Sequence, residues 1–173
     1  DDGSTDDTVS KIKGFIFKYC DKVKVIKLSK NYGSHAATRA GLTHVSNEIC
    51  TFMAADMQEP DDMIEKAYQT ICQGFDIVNI EKENIEVSRA SRLFSLWYAW
   101  LMRKYAVKSY GTGGINNIMF NSKITKYLNT HVESNSSLNL QILDIGFKST
   151  TLKMKYKKRE AGKSKWTLAK KIK

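Results

Sequence analysis

The stretch Ile49-Cys50-Thr51-Phe52-Met53-Ala54-Ala55-Asp56-Met57-Gln58-Glu59-Pro60 decides how this chain folds. Residues 49–55 form a short apolar run, as expected of a strand buried on both faces of a parallel sheet. Pro60 then opens a helix, because its fixed φ and missing N–H suit a first turn. The inner face of that helix is predicted at Met63, Ile64, Ala67, Tyr68 and Ile71. Between strand and helix lies a loop with Asp56 and Gln58 two residues apart. A carboxylate and an amide at this spacing can hold Mg²⁺ or Mn²⁺ while leaving positions open for a diphosphate. A plainer reading competes, in which Asp56 and Glu59 merely cap the helix.

The same alternation runs outward through the first half of the chain, the pattern of an α/β protein with a parallel sheet. Ser4-Thr5-Asp6-Asp7 resembles a helix cap, and Ile12, Phe15, Ile16 and Tyr19 follow at helical spacing. Residues 23–28 are β-branched and predict a strand. Residues 34–45 predict a helix with Ala36, Ala37, Ala40 and Gly41 on a small-residue side, where a ligand or a strand can approach closely. Gly41 itself is expected to serve tight helix–sheet packing. Residues 75–80 and 115–120 predict further strands, and residues 138–145 predict a helix stopped at Gly146. Leu152, Met154 and Tyr156 alternate with Lys153, Lys155 and Lys157, as in a half-buried strand. Leu93, Phe94, Leu96, Trp97, Trp100 and Leu101 form an aromatic helical stripe flanked by basic residues. Core packing is the commoner cause of such a stripe, and an interfacial helix is the alternative.

Asp1-Asp2 and Asp56 both fall just past the carboxyl ends of predicted strands, the edge at which open parallel sheets bind ligands. The chain opens on a loop motif, so a first strand of the sheet is expected to lie outside this sequence. The length fits one domain, 1–173. No apolar run reaches the ~18–20 residues that cross a bilayer. Cys20, Cys50 and Cys72 lack metal spacing and read as small core residues in a reducing compartment. His35 and His44 read as surface or packing residues. Residues 148–173 hold 11 of the 28 basic residues and one of the 18 acids, leaving 17 of each elsewhere, so the whole net charge of +10 lies in that segment. Such a segment suits phosphates, nucleic acid or an anionic membrane, or simply a solvated tail. Within it, Arg159-Glu160-Ala161-Gly162-Lys163-Ser164-Lys165-Trp166 joins basic groups, a hydroxyl and an aromatic around a glycine, a set able to neutralise a leaving diphosphate.

Taken in order, Asp1-Asp2-Gly3-Ser4-x-Asp6-Asp7-Thr8, Asn31-x-Gly33-x-x-x-Ala37-x-x-x-Gly41, Ala55-Asp56-Met57-Gln58-Glu59-Pro60 and Arg159-x-x-Gly162-x-Ser164-Lys165-Trp166 resemble the family 2 glycosyltransferases. Within them the similarity is to the polyprenyl-phosphate glycosyltransferases, a group that includes dolichol-phosphate mannose synthase-like enzymes. The resemblance implies a GT-A fold, a mostly parallel central sheet flanked by helices, and a nucleotide-sugar donor. It places Asp1, Asp2, Asn31 and Gly33 with Asp56 at the nucleotide sugar, and Asp56 and Gln58 at the metal–diphosphate site. Arg159, Ser164 and Lys165 fall at the phosphates, with Asp56 and Arg159 as the catalytic residues.

The resemblance further implies a lipid-phosphate or glycan acceptor and work at a membrane surface, at its cytoplasmic face in a bacterium. No nucleic-acid partner is expected, because a binding arm has no need of the acidic strand-end motifs. The family's first acid of Asp-x-Asp is replaced by Ala54, which weakens the expected metal site. The expected reaction is an inverting transfer. A sugar-hydroxyl acceptor requires a carboxylate base, for which Glu133 and Asp144 are the isolated candidates; an anionic phosphate acceptor requires none. A non-catalytic relative that binds the nucleotide sugar, and a basic nucleic-acid-binding module, are the remaining alternatives.

Overall fold

The computed structural model describes residues 1–19, 22–83, 89–105, 107, 110–111, 114–131 and 137–157, with the side chains of 19 and 89–92 excepted. A four-stranded sheet is built from β1 (Ile49–Thr51), β2 (Ile77–Lys82), β3 (Asn117–Asn121) and β4 (Ser149–Met154). Its order is β1-β3-β2-β4. β3 runs antiparallel to both β1 and β2, while β2 and β4 pair in parallel. Three strands therefore point the same way, and β3 alone is reversed. The carboxyl ends of β1, β2 and β4 and the start of β3 all lie at one edge.

Helix α3 (Met63–Cys72) covers one face, burying Met63, Ala67 and Ile71 against Val78, Ile80, Met119 and Met154. The opposite face carries Ile77, Ile118 and Phe120, packed under α5 (Ser122–Thr130) and α6 (Leu138–Asp144) and beside Leu42 of α2 (Ser34–Leu42). β2 and β3 are buried on both faces, as their near-continuous apolar runs require. Arg39 of α2 donates to Gln141 Oε1 at 2.8 Å, tying α2 to α6. Gly146 stops α6 at φ 82°, the left-handed conformation expected of a helix-ending glycine. Leu152 and Met154 turn inward and Lys153 and Lys155 outward, as their alternation predicts.

Three expectations are corrected. The first is the strand over 23–28, where no ladder forms. Ile26 O accepts from Asp1 N at 2.8 Å and Leu28 N donates to Asp1 O at 2.9 Å, a single parallel bridge about Lys27. The second is the inner face predicted for α3, where Ile64 and Tyr68 are exposed, whereas α1 (Thr8–Tyr19) forms where its periodicity predicts a helix. α1 does begin as predicted, with Asp6 Oδ1 accepting from Thr8 N at 3.1 Å; the Thr8 hydroxyl first, and then this N–H, hold the Asp6 carboxyl below its ordinary value.

The third concerns the aromatic helix α4 (Arg89–Tyr105). Core packing does not account for its stripe, because Leu93, Phe94, Trp97 and Trp100 are 68, 64, 54 and 48% exposed and Ala99 is buried. Among the described residues no helix is long and apolar enough to cross a membrane.

Candidate active site at the carboxyl edge of the sheet

Two polar clusters form, one before α2 and one at the carboxyl end of β1. In the first, the Asp2 carboxylate accepts from Tyr32 N at 2.8 Å and Gly33 N at 2.9 Å. Asp1 turns its carboxylate to Ser4, accepting from the backbone N–H at 3.0 Å and the hydroxyl at 2.5 Å. The opening motif and the turn before α2 are thus one unit, held by half-buried carboxylates that satisfy free N–H groups. Asn31 is exposed beside it. Gly33, at φ 96°, caps α2 in a conformation that disfavours a side chain.

Gly3 has the stricter requirement: at φ 71°, a Cβ would stand 2.5 Å from Lys30 C and 2.8 Å from Lys30 Cα. Gly3→Ala is expected to cost roughly 2–4 kcal/mol, the sum of left-handed strain and a backbone clash. A urea unfolding curve with unchanged slope and a lowered midpoint checks it.

The second cluster is the 52–58 loop after β1. Asp56 and Gln58 are half-buried. Between them Met57 sits at φ 56°, a costly conformation for a side-chain-bearing residue, and is 73% exposed. The kink sets Asp56 and Gln58 apart from the apolar Met57 side chain. Glu59 does not cap the helix: it is buried, and its Oε1 accepts from Ala54 N at 3.0 Å and Asn117 Nδ2 at 3.3 Å. Asn117 Nδ2 also donates to Phe52 O at 2.7 Å, and Tyr156 Oη donates to Asn117 Oδ1 at 2.7 Å. Burial and the Glu59 charge push the Tyr156 hydroxyl up to about 12, so it remains a donor at neutral pH.

The sequence offered Glu59 only as a helix cap and Asn117 and Tyr156 only as strand residues. Glu59 lies 58 residues from Asn117 along the chain, and Asn117 lies 39 from Tyr156, so no local pattern signals these contacts.

Lys157 N donates to Gln58 O at 2.8 Å, so the chain leaving β4 meets the Asp56 loop directly. Arg159, Ser164 and Lys165 lie outside the described residues, as do Glu133 and Cys20. Asp144 is exposed at the last residue of α6. Cys50 is half-buried, and burial raises its thiol to about 11, consistent with an inert packing residue.

An open groove of about 400 Å³ separates α2 from the end of β1, lined by Ala37, Gly41, Phe52 and Met53. Gly41 therefore does not pack tightly as expected, since a Cβ there would meet nothing within 4 Å. A larger cavity of about 900 Å³ follows the outer edge of β1 beside Ile64 and Tyr68 and contains none of the predicted site residues.

Among the described residues no three His, Cys, Asp or Glu side chains gather as a metal cage. The loop's own donors are hard oxygens, few in number. They suit a cation that completes its shell with water and phosphate oxygens, as Mg²⁺ and Mn²⁺ do, rather than zinc.

The family profile described as "Glycosyl transferase family 2" matches residues 1–136, which include both clusters. The chain belongs to glycosyl transferase family 2. Among curated relatives of this family 2 chain is the undecaprenyl-phosphate 4-deoxy-4-formamido-L-arabinose transferase of Edwardsiella ictaluri. It is 29% identical over 178 residues, covering 99% of this chain and 53% of the relative. The protein of the same name from Sodalis glossinidius is 25% identical, covering 98% and 52% respectively. The chain thus spans about half the length of these curated relatives. Of solved structures, S. aureus TarS (residues 1–349) aligns with a TM-score of 0.59 over 90% of this chain and 48% of TarS, at 16% identity. That likeness establishes the GT-A fold for the family 2 chain, a mixed sheet flanked by helices.

Proposed function

We propose that this family 2 chain transfers a sugar from a nucleotide-diphosphate sugar to a polyprenyl phosphate in cell-envelope glycan synthesis. The observation that carries the reading is the pair of polar clusters, around Asp2 before α2 and around Asp56 at the carboxyl end of β1, in a GT-A fold. The relatives' names, which specify undecaprenyl phosphate, support the choice of acceptor. Asp1, Asp2, Asn31 and Gly33 would receive the nucleotide's base and ribose. Asp56 and Gln58 would hold Mg²⁺ or Mn²⁺, which when bound neutralises charge on the diphosphate. Arg159, Ser164 and Lys165 would grip phosphate oxygens and stabilise the charge that grows on the leaving group. The acceptor phosphate is already anionic, so the inverting attack at the anomeric carbon requires no side-chain base.

The membrane is the proposed setting, at the cytoplasmic face. Leu93, Trp97, Trp100 and Lys104 are spaced by four, three and four residues and share one side of α4. Aromatic and aliphatic groups beside Arg103 and Lys104 suit an interface with anionic headgroups, and Lys104 lies 4.8 Å from the centre of the Trp100 ring.

Thermal unfolding with UDP, GDP, UDP-glucose and GDP-mannose, each with and without Mn²⁺, tests the donor site. One nucleotide with Mn²⁺ at about 100 times its Kd should stabilise by ~2.7 kcal/mol, raising Tm by about 5–10 °C. No shift with any of the four in a folded sample would reject a working donor site in this chain.

A further inference from the structure

The 52–58 loop is fastened at three backbone points by groups outside it. Phe52 O accepts from Asn117, Ala54 N donates to Glu59, and Gln58 O accepts from Lys157 N. The fasteners are themselves joined, because Asn117 bonds both Glu59 and Tyr156. Every polar group in this chain of contacts has a described partner except one. Glu59 is 7% exposed, and its Oε2 is buried with no hydrogen-bond partner among the described residues. A half-satisfied carboxylate in a buried place is costly, and Glu59 is supported here by neutral donors alone among the described contacts. A cation arriving at the adjoining loop would find that uncompensated negative charge favourable.

We infer that Glu59, latched through Asn117 and Tyr156, is a positioning residue that sets the Asp56 and Gln58 ligands and strengthens cation binding at their loop. Two roles combine in it. Its Oε1 fixes Ala54 N–H, two residues ahead of Asp56, which restricts the loop to one geometry. Its charge supplies, from beneath the loop, part of the negative potential missing where Ala54 replaces an acid. Supporting groups of this kind orient ligands without touching the ion. The latch also joins the loop to the end of β4, through Tyr156. The inference rests on the proposed metal–diphosphate role of Asp56 and Gln58.

Glu59→Gln keeps the shape and an acceptor oxygen but removes the charge, and Glu65→Gln on the exposed side of α3 is the control. Two readouts apply: amide hydrogen exchange without metal, and Mn²⁺ affinity from the paramagnetic resonance of free Mn²⁺. Glu59→Gln is expected to unfold within about 2 °C of the parent, to speed exchange at Ala54 several-fold, and to weaken Mn²⁺ binding about tenfold. The control should change neither readout.

Unchanged exchange at Ala54 overturns the latch. Faster exchange with unchanged affinity, in a parent that binds Mn²⁺, overturns the positioning role. A parent that binds no Mn²⁺ overturns the metal reading of Asp56 and Gln58, and with it the cation role of Glu59, while exchange still decides the latch. Should Glu59→Gln fail to fold, Tyr156→Phe removes one hydroxyl from the same chain of contacts while keeping the Glu59 charge; faster exchange at Ala54 with weaker Mn²⁺ binding is then expected from the latch alone, and unchanged exchange overturns it.

Discussion

Asp56→Asn is expected to lower sugar transfer by about two to three orders of magnitude while leaving the fold intact. Asparagine fills the same space and keeps one oxygen, so the half-buried 52–58 loop retains its backbone fastenings to Glu59, Asn117 and Lys157. What is lost is the negative charge on the loop residue proposed to hold Mg²⁺ or Mn²⁺ at the leaving diphosphate. Removing one preorganised group that stabilises developing charge typically costs ~10²–10³ in rate, or about 3–4 kcal/mol of barrier. The assay is transfer of labelled sugar to a polyprenyl phosphate in detergent, using the nucleotide sugar that raises Tm. The variant should also lose most of the Mn²⁺-dependent Tm shift, since Gln58 alone remains on the loop. Activity within threefold of the parent would remove Asp56 from the site. Loss of activity together with a large fall in Tm would instead assign it to folding.

The parts of this fold that were legible in the sequence are those governed by local rules. Apolar runs flanked by turn residues located β1, β2 and β3 to within a few residues. The alternation of Leu152 and Met154 with lysines located β4, Gly146 marked a helix stop, and Pro60 anticipated α3, which begins at Met63 behind its cap Asp62. The Asp56–Gln58 pair was legible because both residues sit in one strand-to-helix loop.

The support beneath that pair was not, because Glu59, Asn117 and Tyr156 come from three separate elements and meet only after the sheet forms. Glu59 illustrates the ambiguity: an acid just before a helix reads as a cap, yet it points backward to Ala54 N–H. Gly41 failed for a related reason, since a small residue on a helix fits tight packing and an open groove equally well. Reversal of β3 was likewise invisible, because a strand buried on both faces carries the same apolar pattern in either direction.

Helix α4 shows the same limit and supports the second large prediction. Its period of apolar residues fits a core more often than a membrane surface, and only the packing of neighbouring elements decides. The fold buries Ala99 and leaves Leu93, Trp97 and Trp100 outward at 68, 54 and 48% exposure. Fully burying such side chains stabilises by ~1.5–3 kcal/mol each. Because about half of each is already covered or stays wet, the three together should contribute about 3 kcal/mol to binding a bilayer, close to a hundredfold in affinity.

The triple variant Leu93→Ser, Trp97→Ser, Trp100→Ser is therefore expected to bind phosphatidylglycerol-containing vesicles about 100-fold more weakly in co-sedimentation. Its thermal unfolding should change little, since these side chains contribute little to the protein core. Arg103→Gln with Lys104→Gln should instead weaken binding mainly at low salt, where headgroup attraction is least screened. The two variants separate insertion from attraction: the serine variant should lose affinity at every ionic strength, and the glutamine variant should converge on the parent as salt rises. Equal vesicle binding by the serine variant and the parent would take α4 out of the membrane interface. It would also leave the outward Trp97 and Trp100 as a surface for a protein partner.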